Sequence, residues 1–243
     1  MADKSVAIGV RLRGPLSYGR FWISLINMDK RKAGNLIPAE GYGAAEAARF
    51  IFRKFLNETQ DTHLLMLDDD AVVSEQTLNR LLSRDLPVVG SLTWTNGMPP
   101  LPTIWRGFSG AENGHPSFWV RQDDVAKWFE DPRVETELRK SQELSAFTLT
   151  CEDRDLLSRT DAIGFHCVLI QRDVLAAVGE PFVQADDSGV REDFDFSQRC
   201  ARVGADLYVD KSVIVGHIRA HAIRPIDYYA WAFWLQNQAK EIK

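Results

Sequence analysis

The sequence predicts an α/β fold, a single domain in which a mainly parallel sheet is flanked by helices. Two observations predict it. Apolar segments of strand length alternate along the chain with segments of helical character, the pattern of strand–helix–strand units. One of these segments, THLLML at 62–67, is an apolar run typical of a strand that is covered on both faces of its sheet.

The first part of the chain carries the clearest alternation. Residues 5–12 alternate in polarity with the period of a strand, and 43–58 are rich in strong helix formers. Ser74 is expected to cap the helix that follows the apolar strand. The predicted strands are 5–12, 35–39, 62–67 and 86–94, and the predicted helices are 21–27, 43–58 and 75–83.

The second part is less regular. Residues 95–117 are crowded with Gly, Pro, Ser and Asn and are predicted to be loop, and residues 121–145 are predicted to form a charged, peripheral helix. Gly179 and Gly204 are expected to end helices. The remaining predicted strands are 161–171, 206–210 and 213–217, and the remaining predicted helices are 172–179, 192–204 and an aromatic helix at 225–243.

Composition limits the classes of protein to consider. The 243 residues are 45% hydrophobic and 26% charged, which suits one domain with a substantial core. The net charge of −5 argues against broad electrostatic binding to nucleic acid. No apolar stretch reaches the ~20 residues of a membrane span, and the N-terminus lacks a secretion signal. We therefore expect a cytoplasmic protein whose Cys151, Cys167 and Cys200 are reduced and structural.

Three adjacent carboxylates, Asp68, Asp69 and Asp70, directly follow the apolar strand. In open α/β sheets, ligands collect at the carboxyl ends of the strands. Because neighbouring residues of an extended chain point to opposite sides, Asp68 and Asp70 can face one site while Asp69 faces away. Two such carboxylates suit a hard divalent cation. The alternative is an acidic turn that only caps the next helix.

Two later features carry weaker signals. Glu192 and Asp193 precede a predicted helix, where acids are favoured by the helix dipole without any catalytic role. His217 ends a short apolar strand, where a histidine is usually structural. From the residues alone, both readings stay open.

The segment HLLMLDDDAVVSEQTLNRLL (63–82) resembles the metal-binding segment of GT-A-type glycosyltransferases of the family 2 group. The resemblance implies that the DxD motif falls on Asp68 and Asp70. Asp68 would then meet the ribose of a nucleotide and also approach the metal, Asp70 would hold the metal (Mn²⁺ or Mg²⁺), and Asp69 would help in nucleotide binding.

Two further segments are similar to motifs of that family. REDFDFSQRCARVG (191–204) resembles the ED motif, which implies that Asp193 is the general base and Glu192 its support, with Asp195 less suited to the role. DKSVIVGHI (210–218) resembles the segment that supplies a further metal ligand, here His217, with His221 as an alternative.

Two further segments, which are less specifically similar to that family, imply a nucleotide site. VAIGVRLRGPLSYGRFWISLIN (6–27) is similar to the opening segment that holds the nucleotide base, with contact candidates Arg13, Gly14 and Pro15. AAEAARFIFRKFL (44–56) resembles the helix whose arginine approaches the nucleotide.

That arginine is Arg49 in this chain, and it is followed by Phe50 where the family usually has Asn. Trp94 and the loop near Trp105 are expected to border the pocket because they follow a strand at its carboxyl end. His166 is expected to border the acceptor pocket.

The resemblance implies a metal-dependent inverting glycosyltransferase that moves a sugar from a nucleotide-diphosphate sugar to an acceptor hydroxyl. Uridine nucleotides are favoured by family habit, and the acceptor is open. A GT-A-like domain would span 1–220, with a nucleotide-sugar half at 1–92 and an acceptor half at 93–220. The extension at 221–243 would pack on the domain, form a homodimer contact or, less in keeping with its few basic residues, lie at a membrane interface. The alternatives are a nucleotidyltransferase acting on a sugar phosphate and a non-catalytic nucleotide-sugar-binding module.

Overall fold

The chain has the predicted α/β architecture. In the computed structural model, the described residues are 4–14, 18–94, 102–109, 117–120, 132, 146–148, 156–179 and 191–218. The helices are α1 (Gly19–Asn27), α2 (Ala44–Glu58), α3 (Thr77–Ser83), α4 (Arg172–Val178) and α5 (Glu192–Arg202). The strands are β1 (Val6–Leu12), β2 (Ala33–Glu40), β3 (His63–Asp68), β4 (Ala71–Val72), β5 (Val88–Leu92), β6 (Trp105–Ser109), β7 (Ser117–Val120), β8 (Phe147–Thr148), β9 (Leu157–Thr160), β10 (Cys167–Gln171), β11 (Leu207–Ile214) and β12 (Gly216–His217).

The central sheet has eight strands in the order β2-β1-β3-β10-β5-β11-β8, with β9 also paired to β11. Strands β2, β1, β3, β5 and β11 run in one direction, so the prediction of a mainly parallel sheet is confirmed. Strand β10 runs antiparallel between β3 and β5, with Cys167 opposite Leu67. This reversal brings the residue before β10, His166, to the carboxyl end of β3.

Both faces of the sheet are packed. In β3, Leu64 and Met66 belong to one buried cluster and Leu65 and Leu67 to the other, as expected for a strand covered on both sides. Helices α2, α4 and α5 contribute to the first cluster, and α1 and α3 to the second. The packing on β1 is close enough that a Cβ at Gly9 would lie 2.4 Å from the side chain of Ile51.

Two predicted boundaries are corrected by hydrogen bonding. Gln76, not Ser74, is the N-cap of α3. Ser74 instead donates its backbone N–H to the hydroxyl of Thr77 (2.9 Å), so it shapes the turn before the helix. The two strands predicted at 206–210 and 213–217 are mostly one strand, β11, with an irregular register between Asp210 and Ile214.

The other predictions divide into three groups. Residues 105–109, predicted to be loop, form β6, which pairs with β7 in a hairpin. Gly179 and Gly204 follow helices in positive-φ conformations, as predicted. Cys167 and Cys200 are free and buried, and burial raises the pKa of both thiols to about 12, which is consistent with a structural role. Outside the described residues lie Cys151, the predicted helix at 225–243 and, apart from Pro132, the predicted helix at 121–145.

The C-terminus of α2 is stabilised by Arg172, at the start of α4. Its guanidinium donates to the backbone carbonyls of Phe55, Leu56, Thr59 and Asp61 and lies 4.2 Å from the Phe55 ring. These include carbonyls that the last turn of a helix leaves without intrahelical partners.

We expect Arg172→Ala to lower the free energy of unfolding by roughly 2–4 kcal/mol, because several hydrogen bonds from a charged donor are lost together. Urea unfolding measures the change. Arg159→Ala is the matched control, since the side chain of Arg159 is 68% exposed and its ion pair with Asp206 lies at the surface. This variant should lower the free energy of unfolding by under about 1 kcal/mol. Equal losses in the two variants would contradict the capping role.

Within the ranges that the structure describes, no helix is both long enough and apolar enough to cross a bilayer.

Candidate active site

A cavity of about 840 Å³ opens at the carboxyl ends of β1 and β3, a volume in the range of small-molecule sites. The described wall also includes residues from β5, the start of β6, the start of α2, the loop before β10, the start of α5 and β12. Its described lining residues are Arg11, Leu12, Arg13, Tyr42, Ala44, Ala47, Asp68, Ser91, Thr93, Trp94, Thr103, Trp105, Ile163, Gly164, Phe165, His166, Cys167, Arg191, Glu192, Asp193, Phe194 and His217.

The acidic turn after β3 is held beside β12. Asp68 is the last residue of β3, and Asp69 and Asp70 form the turn to β4. Strand β4 pairs with β12, with Ala71 opposite His217. The backbone N–H of Ile218 also donates to the carbonyl of Asp70 (2.7 Å). The short β4–β12 pair therefore fixes His217 next to Asp70, although 147 positions separate them in sequence.

Asp70, His166 and His217 form a compact group of metal-ligating side chains, with ligand atoms all within 4.8 Å of one another. Nε2 of His217 lies 3.1 Å from Oδ2 of Asp70, and Nδ1 of His166 lies 3.4 Å from Oδ1. The other ring nitrogen of each histidine lies 3.1 Å from a backbone carbonyl, of Trp94 for His217 and of Gly216 for His166. Carbonyls in such positions orient ligating imidazoles.

This group fits a divalent cation. Oδ1 of Asp70 and Nδ1 of His166 are buried and make no hydrogen bond with any described residue. These two atoms lie 3.4 Å apart without forming a hydrogen bond. A buried polar atom that makes no hydrogen bond is costly, and a cation bound by both atoms would satisfy them. One carboxylate and two imidazoles are also a donor set that Mn²⁺ accepts.

The charges in this group perturb one another. Burial raises the pKa of Asp70, but its contacts with His166 and His217 lower that pKa by more than burial raises it, so it lies well below the usual range. Burial lowers the pKa of His166, whereas Asp68 and Asp70 raise it, to about 9. Asp70 is therefore held as a carboxylate.

Arg13 closes the group on its solvent side. Its guanidinium lies 2.5 Å from Oδ2 of Asp70, and its side chain is 60% exposed. Its backbone N–H donates to Oδ2 of Asp69 (3.0 Å), and burial raises the pKa of that carboxyl. Asp69 thus fixes the loop after β1, while Asp68 and Asp70 both face His166.

Arg11 joins the acidic turn to α5. Its Nε lies 2.6 Å from Asp68, its Nη1 pairs with Glu192, and its guanidinium lies 5.4 Å from the Phe165 ring. Burial raises the pKa of Asp68, but the charge of Arg11 and the contact with His166 outweigh burial and lower it below its usual range. Both Asp68 and Glu192 are therefore engaged by one buried cation.

Asp193 lies in the first turn of α5 and lines the cavity. Its Oδ1 accepts the backbone N–H of Phe194 (2.9 Å), and Oδ2 faces Gly164. Burial, with the neighbouring charge of Glu192, raises the pKa of Asp193 to about 7. Among the described carboxylates of the cavity wall, Asp193 is the one without an ion pair. Asp195, in contrast, pairs with Arg199 one turn along the helix (2.9 Å).

No family model matches the sequence, and no curated protein matches it significantly. Solved structures do resemble it. The crystal structure of A197 from STIV matches with a TM-score of 0.52 and 14% identity over 92% of this chain and 91% of that one. GalNAc-T7, solved with UDP, GalNAc and Mn²⁺, matches with a TM-score of 0.56 and 13% identity over 90% of this chain.

The fold is GT-A-like. The chain spans 45% of the length of GalNAc-T7, so the likeness concerns one part of that enzyme. At such low identity it establishes the architecture and leaves the chemistry to be argued from the residues of the cavity.

The GT-A-like cavity includes several other predicted residues. Trp94 and Trp105 both line it, and the buried Trp94 also provides the carbonyl near His217. In the described wall, α2 contributes Ala44 and Ala47, whereas Arg49 is half-buried elsewhere on that helix. Gly14 follows Arg13 without lining the cavity, and Pro15 and His221 lie outside the described residues.

Arg11, Tyr42 and Thr93 are among the cavity residues that sequence reasoning did not single out. Sequence reasoning also assigned His166 to the acceptor pocket and not to the metal-ligating group. One signal for Arg11 was available, since a charged residue within an apolar parallel strand requires a buried partner. A signal for His166 was not, because its position depends on the antiparallel insertion of β10.

Proposed function

We propose that this protein is a metal-dependent inverting glycosyltransferase that moves a sugar from a nucleotide-diphosphate sugar to an acceptor hydroxyl. One observation carries the proposal: a single cavity in a GT-A-like fold is lined by His166 and His217 of the metal-ligating group and by Asp193, a half-buried carboxyl whose pKa is raised to about 7. The first suits a diphosphate and the second suits proton transfer at neutral pH.

Asp70, His166 and His217 are the proposed metal ligands, and Asp68 lies next to His166. A divalent cation bound there supplies charge neutralisation for the diphosphate that leaves. Arg13, whose side chain is largely exposed, can release Asp70 to the cation and turn its guanidinium toward the phosphates. Arg11 holds Asp68 and Glu192 in place, which fixes the distance between the metal-ligating turn and α5.

Asp193 is the proposed general base. Its carboxylate takes the proton of the acceptor hydroxyl as that oxygen attacks the anomeric carbon of the sugar and the bond to the diphosphate breaks. A double displacement would need a carboxylate nucleophile as well as a base. Because Asp68 and Glu192 are both paired with Arg11, the described wall offers one carboxylate for this work, which favours a single displacement with inversion.

The cavity wall near Asp193 suits a sugar acceptor. The rings of Trp105 and Phe194, which both line the cavity, meet edge to face with centroids 6.0 Å apart. Apolar ring faces of this kind pack well against the C–H face of a sugar. The acceptor is therefore proposed to be a glycan or another hydroxyl compound with an apolar face.

The direct test is a reaction panel with the purified protein and Mn²⁺. We expect release of nucleoside diphosphate from a nucleotide sugar, UDP-sugars first, with faster release when a hydroxyl acceptor is present and an inverted anomeric centre in the product by NMR. Pyrophosphate release from a nucleoside triphosphate and a sugar phosphate would instead establish a nucleotidyltransferase. Nucleotide-sugar binding with no turnover across the acceptor panel would establish a binding module.

A further inference from the structure

A pair of stacked aromatic rings stands at the rim of the cavity, away from the metal-ligating group. Tyr42 lies in the turn between β2 and α2, after Gly41, whose φ of +78° is in the region that favours glycine. Its ring stacks on that of Phe50, from the second turn of α2, with centroids 5.2 Å apart and planes inclined by 24°. Although stacked, Tyr42 remains 44% exposed.

The pair has a defined inner and outer ring. Tyr42 lines the cavity and Phe50 does not, so Phe50 supports Tyr42 from behind. Phe50 itself is half-buried against the core, and the ammonium of Lys54 lies 5.6 Å from its ring. The Tyr42 ring is therefore held in orientation before any ligand arrives, which lowers the entropic cost of stacking on it.

The position of the pair along the sheet edge matters as much as its rigidity. Tyr42 follows β2, and the acidic turn follows β3, with β1 between them. Strand spacings of about 4.8 Å put the two sites roughly 10 Å apart across the edge. Arg11 and Arg13, at the end of β1, lie between them. An extended nucleotide spans such a distance with its ribose and phosphates.

We propose that Tyr42, supported by Phe50, is the stacking platform for the nucleobase of the donor. This inference rests on the proposed function and adds the base subsite to it. It also gives a role to Phe50, which stands where the family pattern has Asn. A ring at this position fixes the orientation of the Tyr42 ring. Because every base presents a π-face, the platform supplies affinity and discriminates little between uracil and guanine.

The test is calorimetric binding of UDP, GDP and pyrophosphate, each with Mn²⁺, to wild type and variants. Tyr42→Ala is expected to lower the affinity for UDP and for GDP by about 5- to 150-fold, the usual range for one base–aromatic stack. The affinity for pyrophosphate should stay unchanged. Tyr42→Phe keeps the ring and should bind like wild type. Phe50→Leu should lower the affinity for both nucleotides by a smaller factor than Tyr42→Ala does. Tyr18→Ala is the matched control, since Tyr18 is 42% exposed and is absent from the described cavity wall.

The outcomes separate this inference from the proposed function. Wild-type affinity of Tyr42→Ala for UDP and GDP overturns the platform alone. Equal loss of nucleotide and pyrophosphate binding in Tyr42→Ala also overturns it, because the residue would then be structural. Wild type that binds pyrophosphate with Mn²⁺ but no nucleoside diphosphate overturns the base subsite. Wild type that binds neither overturns both proposals.

Discussion

Replacing Asp193 with Asn is expected to lower kcat for sugar transfer by about 10²–10⁴-fold, the contribution typical of a general base. Asn keeps the size of the side chain and can still accept the 2.9 Å hydrogen bond from the backbone N–H of Phe194. Its amide cannot take up the proton of the acceptor hydroxyl. Initial rates of nucleoside diphosphate release at saturating acceptor and Mn²⁺ measure the loss.

The same assay predicts a pH dependence. Burial and the neighbouring charge of Glu192 raise the pKa of Asp193 to about 7. Below that pH the carboxyl is protonated and inactive as a base, so log kcat/KM should rise with pH and level off above about 7. In Glu192→Gln a neighbouring negative charge is removed, which lowers the pKa of Asp193 and moves the midpoint to lower pH.

Asp195→Asn is the matched control for Asp193→Asn. Asp195 lies two positions further along the same helix, where it pairs with Arg199. This variant should keep transfer within a few-fold of wild type. If a correctly folded Asp193→Asn transfers sugar at the wild-type rate, or if both variants lose activity equally, Asp193 is not the base.

The second large effect concerns the metal. Asp70→Ala, His166→Ala and His217→Ala are each expected to lower Mn²⁺ affinity by about 100-fold or more, because a lost ligand exceeds the roughly 10–100-fold that an outer hydrogen-bond partner contributes. The argument rests on the buried Oδ1 of Asp70 and Nδ1 of His166, which lie 3.4 Å apart without a hydrogen bond between them. Calorimetry with Mn²⁺ alone measures this without any assay of activity.

His63→Ala is the matched control for these variants. His63 is a buried histidine at the opposite end of β3, where it contacts Thr62. It should keep wild-type Mn²⁺ affinity, and Mn²⁺ should raise its Tm as it raises that of wild type. Wild-type Mn²⁺ affinity in His166→Ala would remove that residue from the ligand set. Wild-type affinity in both Asp70→Ala and His217→Ala would refute the site.

Local signals were sufficient for much of the fold. Helix α2 was predicted to within one residue, because strong helix formers fill it. Helix α4 was predicted together with Gly179, whose positive φ ends it. The strand before the acidic turn was equally clear, since its side chains enter both buried clusters. In each case the pattern lies within a few neighbouring residues.

Long-range pairing was not predictable in the same way. The alternation of strands and helices does not encode the order of strands, so the antiparallel place of β10 between β3 and β5 had no sequence signal. The hairpin of β6 and β7 lies partly in a stretch of loop-like composition, where cross-strand pairing overrides local preference.

By itself, the sequence determined the α/β architecture and the acidic turn at a strand end, because both follow from local periodicity and from the rule that ligands gather at carboxyl ends of strands. Only the tertiary structure decided that His166 joins Asp70 and His217, that Arg11 engages two acids, and that Tyr42 faces the cavity. These relations depend on strand order and helix placement. Such contacts between distant parts of the chain arise only when the core packs.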